Sequence, residues 1–223
     1  MFKGILFFIR IIMLIPLQEF DTIIKSNNIE KKGILHVGAH NCEERNAYNS
    51  IGFKDESTIW IDANPKKTAE NVAGGIPNCY TAVLDETVGE KIFNVTNNGQ
   101  SSSLLDFGTH QYSYPDIKVI EKLKVTTERL SDFFVRTKLN PEHYNIWNFD
   151  IQGSELSVFK GSPELLKHAD LIYTEVNIAE VYRGCGTLDN LDGFLKENNF
   201  KRVKTEMTNQ YWGDAIYVRN KTE

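Results

Sequence analysis

Gly33-Ile34-Leu35-His36-Val37-Gly38-Ala39-His40-Asn41 decides how this chain is read. Its first part suits a buried strand, Gly38 and Ala39 are small, and Asn41 has the chemistry of a helix cap. A strand, a tight turn and a helix start, in that order, form the βα unit from which parallel sheets are built. Asn41 with Glu44 three residues on has the form of a capping box. The helix is therefore expected to start there, pass through Ala47 and Tyr48, and stop near Gly52.

The same alternation continues outward. Thr58-Ile59-Trp60-Ile61 reads as a second strand ending at Asp62, and Pro65 suits the first turn of the next helix. Cys79 to Leu84 reads as a third strand and Lys91 to Thr96 as a further edge strand. Asn97 to Tyr114 lacks periodicity and reads as a long loop over one end of the sheet. Leu123 to Thr126 reads as extended, followed by a helix carrying Leu130, Phe133 and Phe134. Tyr144 to Phe149 reads as a strand ending at Asp150. A helix opens at Glu155 and ends near Gly161, and Ser162-Pro163-Glu164 starts another. Leu171 to Val176 is a strand containing Glu175 and followed by Asn177. Thr187 caps a helix with Leu188, Leu191, Phe194 and Leu195 on one face. Phe200 to Thr205 and Tyr211 to Val218 form a closing hairpin. The pattern predicts an α/β fold, a mostly parallel sheet with helices on both faces. Residues 1–32 are read as an apolar helical segment and linker, and 33–220 as the domain.

Gly4 to Leu17, GILFFIRIIMLIPL, is strongly apolar but carries Arg10 and is short for a membrane span. No small-residue cleavage site follows it. A helix packed on the domain, an interfacial helix and a signal-anchor all fit. The first two are favoured, because Pro16 and the polar Gln18-Glu19 are expected to end the run early. Peripheral membrane contact through residues 2–17 is the corresponding expectation.

The 223 residues are 41% hydrophobic, enough for a substantial core, and carry a net charge of −5. That balance argues against wide phosphate neutralisation, so no nucleic-acid partner is expected. Cys42, Cys79 and Cys185 are odd in number and lack metal-type spacing, so neither a disulfide framework nor a structural zinc is indicated. A cytoplasmic location is the simplest reading.

Ligands of open α/β sheets bind beyond the carboxyl ends of the strands. Gly38 and Ala39 leave room there for a ligand to touch backbone, though a tight turn alone explains them equally well. The stretch is not Gly-x-Gly-x-x-Gly, the fingerprint for a dinucleotide pyrophosphate, which counts against a nicotinamide-dependent oxidoreductase. Asp62 stands where an acid meets a ribose in such folds; its plain alternative is a helix-capping acid. Asp150 and Glu175 close apolar strands, where a carboxylate needs a reason to be. Either could serve as a general base, hold a cofactor amino group, or order a loop; with Asn177 they could bind a divalent cation. His36 alternates within a strand and reads as a core residue, whereas His40 is placed to touch a ligand. Cys42 has no His and Asn partners and reads as packing.

From about Gly33 to Arg219 the chain resembles the FkbM-type methyltransferases. The matching pieces are Ile34 to His40 with Cys42-Glu43-Glu44, Trp60-Ile61-Asp62-Ala63-Asn64-Pro65, and Ser101-Ser102-Ser103-Leu104. Further on come Phe149-Asp150-Ile151-Gln152-Gly153-Ser154-Glu155 with Phe159-Lys160-Gly161, Thr174 to Asn177 with Val181 to Cys185, and Trp212-Gly213-Asp214-Ala215. The resemblance implies a class I methyltransferase (Rossmann-like) three-layer fold with a seven-stranded, mostly parallel sheet and a C-terminal antiparallel hairpin. It implies S-adenosylmethionine as donor and O-methylation of a sugar, glycan or related small-molecule acceptor. It further implies that Gly38, Ala39 and His40 line the methionine end of the cofactor, Asp62 takes the ribose, and Asp150 lies beside the transferred methyl, with Val37 and Ala63 adjoining. Many members have Gly-Ala-Asn-x-Gly at the first loop; here His40 and Cys42 replace the Asn and second Gly. Many carry Glu where this chain has Asp62. The loop from Gln100 to Tyr114 and the turn from Tyr182 to Gly186 are the expected acceptor walls, with Tyr112, Tyr114 and Tyr182 able to stack on a sugar or to pack. A non-catalytic scaffold that kept the fold is the competing reading.

Overall fold

The computed structural model describes residues 13–220. Residues 4–12, most of the apolar N-terminal run, lie outside them. The described end of that run differs from expectation. Pro16 does not end a helix but precedes one, α1 (Leu17–Ser26). The polar Gln18-Glu19 belong to the first turn of this amphipathic helix, whose other face buries Phe20 and Ile24. A proline is tolerated there because the first N–H groups of a helix lack intrahelical partners anyway.

The chain then runs through β1 (Ile34–Val37), α2 (Arg45–Ser50), β2 (Thr58–Asp62), α3 (Pro65–Ala73) and β3 (Cys79–Thr81). Next come β4 (Gly89–Thr96), the short α4 (His110–Ser113), β5 (Val119–Thr127), α5 (Leu130–Thr137) and β6 (Ile146–Phe149). The last part is α6 (Glu155–Gly161), β7 (Leu171–Asn177), α7 (Leu188–Glu197), β8 (Phe200–Met207) and β9 (Trp212–Arg219). Seven strands form one sheet in the order β3-β2-β1-β6-β7-β9-β8. The first five are parallel, and β9 is antiparallel to both β7 and β8. This is the three-layer α/β class expected from the sequence.

Burial explains the sequence of the central strands. β1 and β6 are buried along their whole length, so they read as continuous apolar runs rather than alternating ones. One face packs Leu35, Val37, Ile59, Ile61, Trp147 and Phe149 against α5, α6 and α7. The other packs Ile34, Trp60, Ile146, Tyr173 and Ile216 against α1 and α2. His36 lies in this second layer, 2% exposed. The Tyr48 hydroxyl lies 3.0 Å from His36 Nδ1 and accepts from Asn148 Nδ2 at 2.6 Å. Burial drives the His36 pKa down to about 3, so it is a neutral, satisfied core residue, as its strand position suggested.

Three local readings are corrected. Val83 and Leu84 leave the main sheet: Glu128 N–H donates to Val83 O at 2.9 Å and Asp85 N–H to Glu128 O at 3.0 Å. β4 is not an edge of the main sheet but pairs with the longer β5 in a separate two-stranded ribbon. The Asn41–Glu44 capping box is absent. His40 and Cys42 adopt positive φ (42° and 53°), so the helix starts only at Arg45, and Glu43 rather than Glu44 accepts from the Asn41 N–H at 3.1 Å. The expected cap at Thr187 is present, accepting a backbone N–H, and Asn64, not foreseen as a cap, accepts one before Pro65.

Phe159 of α6 is 1% exposed, its ring centroid 4.8 Å from that of Phe149. Phe159→Ala is expected to lower stability by about 3–5 kcal/mol, measured by chemical denaturation.

Candidate active site

β1 pairs in register with both neighbours, Val37 opposite Ile61 on β2 and opposite Phe149 on β6. The residues that follow, Gly38, Asp62 and Asp150, therefore emerge together at the carboxyl edge. They meet closely. Gly38 has φ +92°, and a Cβ there would lie 1.8 Å from Asp150 O. Only glycine serves at this position. Gly38 and Ala39 N–H both donate to Ile61 O, at 2.9 and 3.0 Å, which fixes the turn.

A cavity of about 620 Å³, open mouth included, lies above this edge. Val37, Gly38, His40, Asp62, Ala63 and Asp150 line it, which brings six of the sequence-derived site residues together. Ala39 is not among the lining residues; its side chain is buried in the layer beneath. Glu175 does not line it either and sits behind Asp150. Sequence reasoning missed Ala82, Val83, Leu84 and Phe93, which with Ala63 give an apolar wall. It also missed Lys67 and Asn64, and Ile151 and Ser154 on the Asp150 side. Gln100, Ser102 and Leu104 reach in from the loop after β4. That loop is held down by Ser102 Oγ, which accepts from Thr96 N–H at 3.0 Å and donates to Gly99 O at 2.7 Å. The run Ser101-Ser102-Ser103 was the available signal.

Asp62 accepts from His40 N–H and Asn64 N–H, both at 2.7 Å, one on each carboxylate oxygen. These bonds aim the group into the cavity and leave further lone pairs. Burial nevertheless raises its pKa, because desolvation outweighs the two donors. Asp150 is open to the cavity, yet dense protein around it pushes its pKa up as well. Gln152 Nε2 donates to Asp150 Oδ1 and to Glu175 Oε2, each at 2.6 Å. Glu175 is buried and its pKa lies well above the carboxylate range, first from burial and then from the charge of Asp150. Glu155 organises the turn between them: its Oε1 accepts from Ile151 N–H at 2.9 Å and Gly153 N–H at 3.2 Å, and burial pushes its pKa up to about 7.

Tyr182 is 1% exposed, its hydroxyl 2.5 Å from Gln152 Oε1, so it packs inside and offers no face for stacking. Tyr114 accepts from Trp212 Nε1 at 2.8 Å, and Tyr112 is 78% exposed. Cys42 is buried, and its thiol pKa is raised, first by its hydrogen bond to Cys79 and then by burial, in keeping with packing rather than reactivity. Among the described residues no group of three or more His, Cys, Asp or Glu is arranged to hold a metal ion. The divalent cation weighed for Asp150, Glu175 and Asn177 finds no support.

An open sheet of this order, with one acid ending β2 and a second following β6 at the same edge, defines a class I methyltransferase. The family model of the methyltransferase FkbM domain matches residues 16–202, and the chain belongs to that family. It is an S-adenosylmethionine-dependent methyltransferase. No curated protein matches the chain. Among solved structures it is similar to magnesium protoporphyrin IX methyltransferase (ChlM) from Synechocystis PCC 6803 with bound SAM: 11% identity, 92% of this chain and 78% of that one, TM-score 0.49. It is similar to a ribosomal protein L11 methylase from Lactobacillus delbrueckii subsp. bulgaricus: 11% identity, 92% and 79% coverage, TM-score 0.44. Likenesses this distant carry no weight for the acceptor.

The cavity fits the cofactor. Its apolar wall would suit a flat heterocycle, and the Asp62 and Asp150 carboxylates would offer acceptors to hydroxyls and to a positive charge. Asp62→Ala is expected to weaken S-adenosylhomocysteine binding at least about tenfold, the loss of a charged hydrogen-bonding partner, with the fold intact; titration calorimetry reads it.

Proposed function

We propose that the enzyme methylates a hydroxyl oxygen of a sugar, glycan or related small molecule. The observation that carries this reading is Asp150, a carboxylate that faces the cavity and is backed by Gln152 and Glu175. Bound S-adenosylmethionine supplies an electrophilic methyl on a positively charged sulfur. Asp62 orients the ribose, and the Gly38 turn lets the ligand approach backbone. Asp150 takes the acceptor's proton as the new C–O bond forms and the S–C bond breaks. A base is needed because an alcohol is a poor nucleophile while it keeps its proton. Glu175 is the second acid of the pair, supporting Asp150 from behind. Tyr112, exposed on α4, is an aromatic face open to a sugar ring.

The raised pKa of Asp150 sets the sign of the pH dependence. The base works when ionised, so the rate should rise with pH through a midpoint above the ordinary Asp value of about 4. Asp150→Asn is expected to lower turnover by about 10²–10⁴-fold and to leave S-adenosylhomocysteine affinity within about threefold. Labelled methyl donor with a panel of candidate glycans, read by mass spectrometry, measures the first. Wild-type turnover in the variant would remove Asp150 from the reaction.

We also propose that the chain is cytoplasmic with peripheral membrane contact through its N-terminus. Ile15 is fully buried, so the contact is proposed for the apolar residues that precede it. No described helix is long and apolar enough to cross a membrane. Full-length chain should sediment with lipid vesicles and a chain lacking residues 2–12 should not; equal sedimentation rejects the contact.

A further inference from the structure

The strained turn after β6 holds a group that the proposed reaction has not used. Gln152 has φ +57°, an unfavourable region for a residue with a side chain, and Gly153 follows at φ +97°. Non-glycine residues persist there only where surrounding contacts over-determine them. Those contacts are present. Ser103 Oγ donates to Gln152 O at 2.9 Å, and Glu155 Oε1 takes the N–H groups on either side of Gln152. A Cβ at Gly153 would lie 2.7 Å from Cys185 Cβ, so the turn is pressed against the Tyr182–Cys185 segment.

The result is a side-chain amide with one permitted orientation. The Tyr182 hydroxyl donates to Gln152 Oε1 at 2.5 Å, which turns the amide nitrogen toward the acids. That nitrogen has two hydrogens and two carboxyl oxygens 2.6 Å away, one from Asp150 and one from Glu175. A hydrogen bond donated to a carboxylate favours its ionised form. The acids around the pair oppose its ionisation, Glu155 on α6, Asp214 on β9 and Asp62 on β2, whereas Tyr48 on α2 and Tyr182 are neutral phenols and the Lys67 ammonium on α3 lines the same cavity and favours ionised Asp62.

We infer that Gln152 is a positioning residue for methyl transfer: its amide, oriented by Tyr182, donates one N–H to Asp150 and one to Glu175, and thereby keeps Asp150 ionised toward the cofactor. The inference rests on the reading of Asp150 as the base.

The test needs no acceptor. S-adenosylmethionine carries a positive sulfur and S-adenosylhomocysteine a neutral one, so the ratio of their affinities reports charge on Asp150. Titration calorimetry on the full chain across a pH series should show the preference for the cationic donor rising with pH in wild type. Gln152→Met, similar in size and without donors, should move that midpoint up by about one unit and lower the preference by up to about tenfold at pH values below the wild-type midpoint. Tyr182→Phe should move it the same way by less, because the amide is then free to turn over. Adenosine affinity should be equal in all three proteins, which separates this effect from misfolding. Coincident midpoints in wild type and Tyr182→Phe, and in a Gln152→Met protein that binds adenosine normally, overturn the inference and leave the hydroxyl-methylation reading standing. Undiminished turnover in Asp150→Asn removes that reading instead.

Discussion

Val37 lies opposite Ile61 on one side and Phe149 on the other, in parallel register. Each of these strands ends at the same level, so the next residues share one edge without any loop having to bring them together. A one-residue slip would turn every side chain of β1 to the other face. The apolar layers on both faces of the sheet forbid that slip. The site is thus a by-product of core packing, and Gly38 is its narrowest point, with Asp150 O against its Cα.

That arrangement places unusually many acids close together. Asp62, Asp150, Glu155, Glu175 and Asp214 are all pushed toward the protonated state by burial. Each is held by hydrogen bonds rather than by a cation. Asp62 uses two backbone N–H groups, Glu155 uses two, and Asp150 and Glu175 share one amide. Neutral donors stabilise these acids locally, and Lys67, the cation lining the cavity, acts on Asp62 through space.

Much of this was legible in the chain itself. Acids at or near the ends of apolar strands marked Asp62 and Asp150, which line the cavity, and Glu175, which does not. The cap at Thr187 followed from a short polar side chain before a helical run. The start of α2 was misplaced because the left-handed backbone at His40 and Cys42 has no marker when the residues are not glycine. α1 was misread because Gln18-Glu19 look like an ending until Phe20 and Ile24 are seen one turn apart on a buried face. Gln152 and the apolar wall from Ala82 to Leu84 were invisible for a different reason. Their roles depend on groups distant in sequence, Tyr182, Glu175 and Glu128, which no local pattern connects.

The N-terminal segment is joined to the far end of the chain. Leu14 N–H donates to Asp214 Oδ2 at 2.8 Å, across 200 residues, and the same carboxylate accepts from Tyr173. Ile15, Phe20 and Ile24 pack with Leu171, Tyr173, Ile216 and Val218. During translation these early apolar residues emerge first and their packing partners last. Ile34, Tyr48 and Trp60 of the same layer are made earlier, but the surface that covers these residues is incomplete until the closing hairpin is made. The domain is therefore sealed only when its final strand arrives, and its first greasy turn spends the longest time waiting for a chaperone, a lipid surface or the rest of its own polypeptide.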